Sequence, residues 1–212
     1  QTIPILGTAV TEYGVALDIK DFNGTVGGNI SGTSDLAPLD QQADMLLELL
    51  PEAQNVGILY CSAEANSVYQ ADVVKAALEA KGVTVSVYTF ADSNDVATVT
   101  QTACAENDAL YIPTDNTAAF CTEAINNVAE PAGIPIVAGE EGICKGCGIA
   151  TLSIDYYELG KTTGKMAAKI LTGESDISEM PIEYYQNPVK KYDAARCEAL
   201  GITVPSDYVA IG

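Results

Sequence analysis

The sequence contains no histidine and no tryptophan, and its only arginine is Arg196. Without histidine there is no Ser-His-Asp or Cys-His catalytic set and no His-ligated zinc. One arginine cannot build a multi-arginine phosphate clamp. Basic residues are scarce: 10 Lys and Arg stand against 29 Asp and Glu, a formal net charge of −19. Such a field repels nucleic acid and anionic membrane surfaces, so neither is expected as a partner. No run approaches the ~18 apolar residues that a membrane-spanning helix needs. No Gly-x-Gly-x-x-Gly follows a strand, and there is no P-loop and no Gly-x-Ser-x-Gly elbow. No cofactor is expected.

What is present is a globular composition. The 212 residues are 48 % hydrophobic and 18 % charged, enough to bury a core in one large or two small domains. Six cysteines occur, at 61, 104, 121, 144, 147 and 197. Cys144 and Cys147 are the close pair. Zinc would want a second such pair or histidines. Gly142, Gly146 and Gly148 crowd the pair, which reads as a turn carrying a local disulfide or idle thiols. Thiol redox chemistry and metal binding are the weaker alternatives. The acidic pairs Asp35/Asp40 and Glu140/Glu141 read as solvated surface, and no metal site is expected.

Strand and helix patterns alternate. Ile3 to Val10 reads as a buried strand, and Thr11 to Asp35 as irregular, with an extended piece around Thr25 to Ser31. Leu39, Ala43, Leu46, Leu47 and Leu50 recur at helical spacing between Pro38 and Pro51. Strands are predicted at 56–60, 83–87, 109–112, 134–138 and 150–154. Helices are predicted at 66–81, 95–105, 116–132 and 157–172, with Gly82, Gly133 and Gly173 as stops. The tail from Glu183 reads as an extended piece, a short helix over 194–200 and a final loop. This alternation predicts an α/β fold, a mainly parallel sheet with helices on both faces.

In such sheets ligands bind beyond the carboxyl ends of the strands. The segments found there are small, polar and acidic: Cys61 to Ser67, Pro113 to Asn116, Gly139 to Glu141, Asp155 to Tyr157, and Thr11 to Tyr13. Several lead straight into a helix N-terminus, whose free N–H groups hold a carboxylate. The plain reading of Asn66, Ser67, Asp115 and Asn116 is helix capping. Convergence on one rim favours a binding role. Donors would take a carboxylate, Asp115, Glu140 and Asp155 an ammonium, and tyrosine rings an aromatic tail. The expected ligand-facing set is Asn66, Ser67, Thr114, Asp115, Asn116, Glu140, Asp155 and Tyr156, with Asp115 for the α-ammonium and Tyr156 for stacking. No catalytic set is expected, so the chain reads as a binding protein.

Longer stretches carry a resemblance. Ala109-Leu-Tyr-Ile-Pro-Thr-Asp-Asn116, Ile154-Asp-Tyr-Tyr-Glu-Leu-Gly160, Ser62-Ala-Glu-Ala-Asn-Ser67, Leu49-Leu-Pro51 with Gly57-Ile-Leu-Tyr60, and Ala199-Leu-Gly-Ile-Thr-Val-Pro205 occur in this order. Together they resemble the ABC-transporter substrate-binding proteins of the tryptophan/tyrosine-binding type. The resemblance implies a type I periplasmic-binding-protein fold: two α/β lobes joined by hinge crossings, with a small ligand in the cleft between them. It implies an extracytoplasmic receptor, exported and in Gram-positive bacteria lipid-anchored, that delivers an amino acid to an ABC permease. Residues 1–32 and 156–182 would belong to the N-terminal lobe, and 33–155 with 183–212 to the C-terminal lobe.

The chain opens on Gln1, which reads as a fragment or a processed chain without signal peptide. Family members carry further residues before the position of Thr2, so most of the N-terminal lobe is expected to be missing. On that reading this stretch alone binds ligand weakly, and its first strand self-associates through a bare edge. Family members read Thr-Asp-Pro where this chain has Thr11-Glu12-Tyr13. A sugar or nucleoside ligand in the same fold is the alternative. A thiol oxidoreductase using Cys144 and Cys147 comes after it.

Overall fold

The computed structural model describes residues 3–212. In chain order the elements are β1 (Ile5–Gly7), α1 (Tyr13–Ala16), β2 (Ile30–Ser34), α2 (Leu39–Leu49), β3 (Asn55–Cys61), α3 (Ala65–Glu79), β4 (Thr84–Phe90), α4 (Val96–Glu106), β5 (Ala109–Ile112), α5 (Asn116–Phe120), α6 (Thr122–Ala132), β6 (Ile136–Ala138), α7 (Glu141–Cys147), β7 (Ala150–Ser153), α8 (Tyr156–Leu171), β8 (Glu183–Tyr184), β9 (Val189–Tyr192), α9 (Ala194–Ala199) and β10 (Val209–Ala210). They fall into two compact units. Unit 1 takes the residues up to Ala37 with Ile154–Pro188, and unit 2 takes Pro38–Ser153 with Val189–Gly212. The chain therefore crosses at 37/38, 153/154 and 188/189, where the sequence reading set the crossings at 32/33, 155/156 and 182/183.

Unit 2 is built on a seven-stranded sheet in the order β10-β9-β7-β6-β5-β3-β4. From β7 to β4 every pairing is parallel. β9 runs antiparallel to β7, and β10 parallel to β9. Ala109, Leu110, Tyr111 and Ile112 fill β5 and are all fully buried, as a strand covered on both faces must be. The apolar stripe of α2 (Leu39, Ala43, Leu46, Leu49) is buried too. Each such Leu or Ile contributes about 1.5–3 kcal/mol through burial. Arg196 on α9 closes the end of α7. Its guanidinium donates to the carbonyls of Lys145 (3.1 Å) and Gly146 (2.8 Å) and pairs with Asp193 (2.7 Å). A cation at a helix C-terminus satisfies carbonyls that have no partner within the helix.

Unit 1 holds a three-stranded parallel sheet, β1-β2-β8, with α8 packed on it. Hydroxyl bonds tie its segments together. Thr163 bonds to Thr8 (2.9 Å) and Thr33 (2.8 Å), Ser34 donates to the Thr11 carbonyl (2.7 Å), and Tyr13 donates to that of Thr33 (3.3 Å). Gly32 has φ +152°. A Cβ there would lie 2.1 Å from the Gly7 carbonyl oxygen and 2.3 Å from the Tyr13 hydroxyl. Only glycine lets β1 and β2 approach under that ring.

Several elements differ from the sequence reading. The first strand is Ile5–Gly7, shorter than Ile3–Val10, and β2 lies within the stretch read as irregular. The helix expected over 116–132 breaks at Cys121, which ends α5 and begins α6. The Cys144–Cys147 segment is helical, not a turn. Glu140 caps it by accepting from both Gly142 and Ile143, and Gly146 packs so closely on Thr122 that a Cβ would lie 2.3 Å away. The final loop contains β10.

Candidate functional site

Parallel pairing puts the carboxyl ends of β3, β5 and β6 on one rim of unit 2, at Cys61, Ile112 and Ala138. Three of the predicted segments leave from those ends, and the structure brings Asn66, Ser67, Thr114, Asp115, Asn116 and Glu140 to this rim. Asp155 and Tyr156 follow β7 in sequence and belong to unit 1.

The rim is held by a dense hydrogen-bond set. Asp115 is 2 % exposed. One oxygen accepts from the Ala118 amide (2.7 Å), capping α5, and the other from the Cys61 amide at the end of β3 (2.8 Å). Burial pushes its carboxyl pKa up, against the pull of the Ala118 and Cys61 amides and the Ser67 hydroxyl, while the Glu64 charge adds to the rise. The buried Ser67 hydroxyl lies beside this carboxylate without a hydrogen bond of good geometry. Asp115 therefore cross-braces a strand end to a helix start, and both its oxygens are engaged. Glu140 is likewise engaged at the start of α7.

Glu64 is the residue that sequence reasoning missed. Its carboxylate accepts from the Asn116 amide (2.9 Å), the Asn116 side chain (2.9 Å), the Thr117 amide (2.8 Å) and the Thr117 hydroxyl (2.7 Å). Burial alone would raise its pKa, but these four bonds outweigh burial and hold it below the ordinary value. Because that side chain turns to α5, α3 begins without a side-chain cap. Its first N–H groups keep the capacity to hold an anionic group.

Gln70 and Gln42 were missed as well. Gln70 accepts from the Thr114 amide (3.1 Å) and donates to the Thr114 carbonyl (3.1 Å), which Asn66 also reaches (3.0 Å). Gln42 on α2 donates to the Gly139 carbonyl (3.1 Å) and accepts from the Tyr111 hydroxyl. A Cβ on Gly139 would lie 2.5 Å from the Thr114 amide nitrogen, so the two turns touch. The signal for both was a glutamine at a buried position of a helix, where the apolar periodicity calls for a hydrophobe.

In unit 1, Tyr156 is 44 % exposed and donates to the Asp35 carboxylate (3.1 Å). Asp155 caps α8 by accepting from the Glu158 amide (3.0 Å) and is exposed. Tyr13 is pushed up to about 12 by burial and by the neighbouring Asp35 and Tyr184 charges.

Among the described residues all six cysteines are free and buried. Burial pushes the Cys144 thiol well up and that of Cys147 to about 12. A reactive thiol needs the opposite, a lowered pKa and access to solvent.

Residues 1–210 match the family described as ABC transporter substrate binding protein. The chain belongs to that family. A curated relative, the tyrosine-binding protein of Clostridioides difficile, is 33 % identical over 86 % of this chain. The match covers 52 % of that relative, so the chain spans about half its length. A solved Streptococcus pneumonia structure, described as an ABC domain in complex with L-Trp, is 30 % identical with a TM-score of 0.88, covering 96 % of this chain and 68 % of that one. A ligand-free substrate-binding protein with adhesive properties from Clostridium difficile is 33 % identical with a TM-score of 0.77, covering 99 % and 72 %. The α/β fold with a mostly parallel sheet is the fold of these structures.

Proposed function

We propose that this chain is the ligand-gripping part of an extracytoplasmic solute-binding component of an ABC importer, lipid-anchored or periplasmic, that hands an aromatic amino acid to its permease. The likeness to a tyrosine-binding protein, over most of this chain, carries the reading. The rim chemistry supports it. Asn66, Thr114 and Asn116 offer amide and hydroxyl groups, and the start of α3 favours a carboxylate. Within unit 1, Asp155 and Tyr156 present an exposed carboxylate and a half-exposed ring, groups suited to an ammonium and an aromatic tail. In unit 2, Asp115 acts beneath the rim by fixing the backbone that the ligand meets, and Glu140 fixes the start of α7. Family members bind rather than transform their ligands, and the buried thiols give no foothold for redox catalysis.

The test is calorimetric titration of the full-length protein with L-tyrosine, L-tryptophan, galactose and adenosine. Saturable binding of one or both amino acids, with no heat from the other two, is expected. Binding of galactose or adenosine with no response to the amino acids would replace this reading with the sugar or nucleoside one.

A further inference from the structure

The strongest unassigned feature of unit 2 is a pair of glutamines in its interior. Gln42 and Gln70 are each 1 % exposed. A buried amide left unbonded costs about 1–3 kcal/mol, so such residues persist where their bonds are made. Gln70 makes three. With the Thr114 amide and carbonyl it closes a two-bond ring, the pattern by which one strand pairs with another. Its third bond runs to the Asn66 carbonyl (3.1 Å) in the first turn of its own helix. Gln42 holds Gly139 from α2 by a single bond, donating to its carbonyl, and its orientation is fixed by the buried Tyr111 hydroxyl. Gly139 and Thr114 lie in contact, so each glutamine limits the movement of both turns.

We propose that Gln70 and Gln42 form an internal clamp that sets the positions of Thr114 and Gly139, and through them the affinity of the ligand wall. Both are positioning residues, too deeply buried to meet a ligand. Gln70 is the stronger arm, because it also locks Thr114 to Asn66 and so couples the turn after β5 to the start of α3. The inference rests on the binding role proposed above and specifies which buried groups shape the site.

Two variants of the full-length protein test it. Gln70→Met keeps length and shape and removes every bond. Gln70→Glu keeps the acceptor for the Thr114 amide but loses both donors while ionised, and regains one when protonated. The ionised form would also face the Asp115 and Glu64 carboxylates. Titration with L-tyrosine and L-tryptophan should show Gln70→Met weakened about tenfold or more, the equivalent of one lost buried hydrogen bond. Gln70→Glu should be weak at pH 8 and approach the parent at pH 5, read as the ratio of variant to parent affinity so that titration of Asp115 cancels. A general loss of packing would not produce that pH-dependent rescue. Hydrogen exchange of the Thr114 amide without ligand should be faster in Gln70→Met.

A flat ratio across pH, or Gln70→Met binding as tightly as the parent, overturns the inference and leaves the binding role standing. A parent that binds neither amino acid overturns the binding role and the affinity claim with it. Unchanged Thr114 exchange in Gln70→Met removes the clamp itself, whatever the ligand does.

Discussion

Unit 2 and unit 1 use the same βα grammar with different materials. Unit 2 is held by hydrocarbon, with a core running from Leu59 and Phe90 through Leu110 and Ile112 to Ile136 and Ile143. In unit 1 a small cluster joins Ala37, Ile154 and Leu159 with Ala9 and Tyr185 against it, and Tyr13, Met166, Ile177, Met180 and Ile182 are buried as well. This unit adds hydroxyl bonds and backbone that few residues adopt: Gly24, Gly27, Gly28 and Gly32 have positive φ, and so do Ala9, Asp18 and Asp21. Both units leave apolar side chains in solvent, among them Ile5, Leu17 and Leu171 in unit 1 and Val87, Phe120 and Val209 in unit 2. Packing by hydrocarbon tolerates approximate shapes, whereas hydrogen-bonded turns require particular residues. The two units should therefore answer substitution differently.

The largest contrast is expected between two isoleucines. Ile58 is fully buried in β3, and Ile58→Ala should cost about 2–5 kcal/mol by leaving a cavity. Ile5 in β1 is 43 % exposed, and Ile5→Ser should cost about 1 kcal/mol or less. Denaturant unfolding of both variants measures this. Equal losses would mean that β1 is as well packed as β3, and the comparison would break.

Glycine offers the next contrast, in the opposite direction. Gly32→Ala drives a Cβ into the Gly7 carbonyl and the Tyr13 hydroxyl, and should cost about 1–3 kcal/mol through displaced backbone. Gly133 caps α6 in unit 2 with φ +69° and open space around its Cα, so Gly133→Ala should cost about 1 kcal/mol from backbone conformation alone. Limited proteolysis should show unit 1 opening in Gly32→Ala while unit 2 stays protected. Cleavage spread over both units would show that they do not unfold separately.

The same difference decided how much could be read from sequence. Strand β5 was legible to the residue, because an unbroken apolar run between Asp108 and Pro113 has few other uses. Helices α2, α4 and α8 were legible within about a turn, from apolar periodicity and flanking stop signals. Helix α7 was not, because Gly142, Gly146 and Gly148 read as a turn. Two of them are glycine because of Thr122 and Cys144 packed against them, which a local pattern does not contain. The break at Cys121 had no glycine or proline to mark it. In unit 1, the extended piece read around Thr25 to Ser31 only overlaps the start of β2, whose middle is Gly32, a glycine demanded by the close contact with Gly7.

For the site, the loops were legible from the alternation of elements, but their bonding was not. Asp115 reads as a helix cap and as a partner for an ammonium; it does cap α5, and its second oxygen braces the end of β3. Glu64, which engages Asn116 and Thr117, stood in one of those loops without a role of its own. Partners such as Glu64 and Thr117, or Gln70 and Thr114, lie far apart in the chain, and no spacing rule links them.

The subtlest test concerns Glu64, because it asks whether the rim of unit 2 shares the hydrogen-bonded character of unit 1. Its pKa is lowered in the folded state: burial works against ionisation, and the bonds from Thr117 and Asn116 prevail. A carboxylate with a depressed folded pKa contributes stability that is present above its unfolded pKa of about 4.3 and is lost as pH falls through the folded value. Glu64→Gln retains one acceptor and has no charge to lose. At pH 7 it should be less stable by about 1 kcal/mol, the usual cost of removing a helix cap. The gap between parent and variant should narrow as pH falls below about 4.3. Thermal unfolding of both proteins from pH 7 to pH 3 measures it, and the difference between them cancels the titration of Asp108 and Glu141, whose pKa values are lowered as well. A gap that stays constant with pH would mean that the charge of Glu64 contributes nothing and that the rim is held by packing, as the rest of unit 2 is.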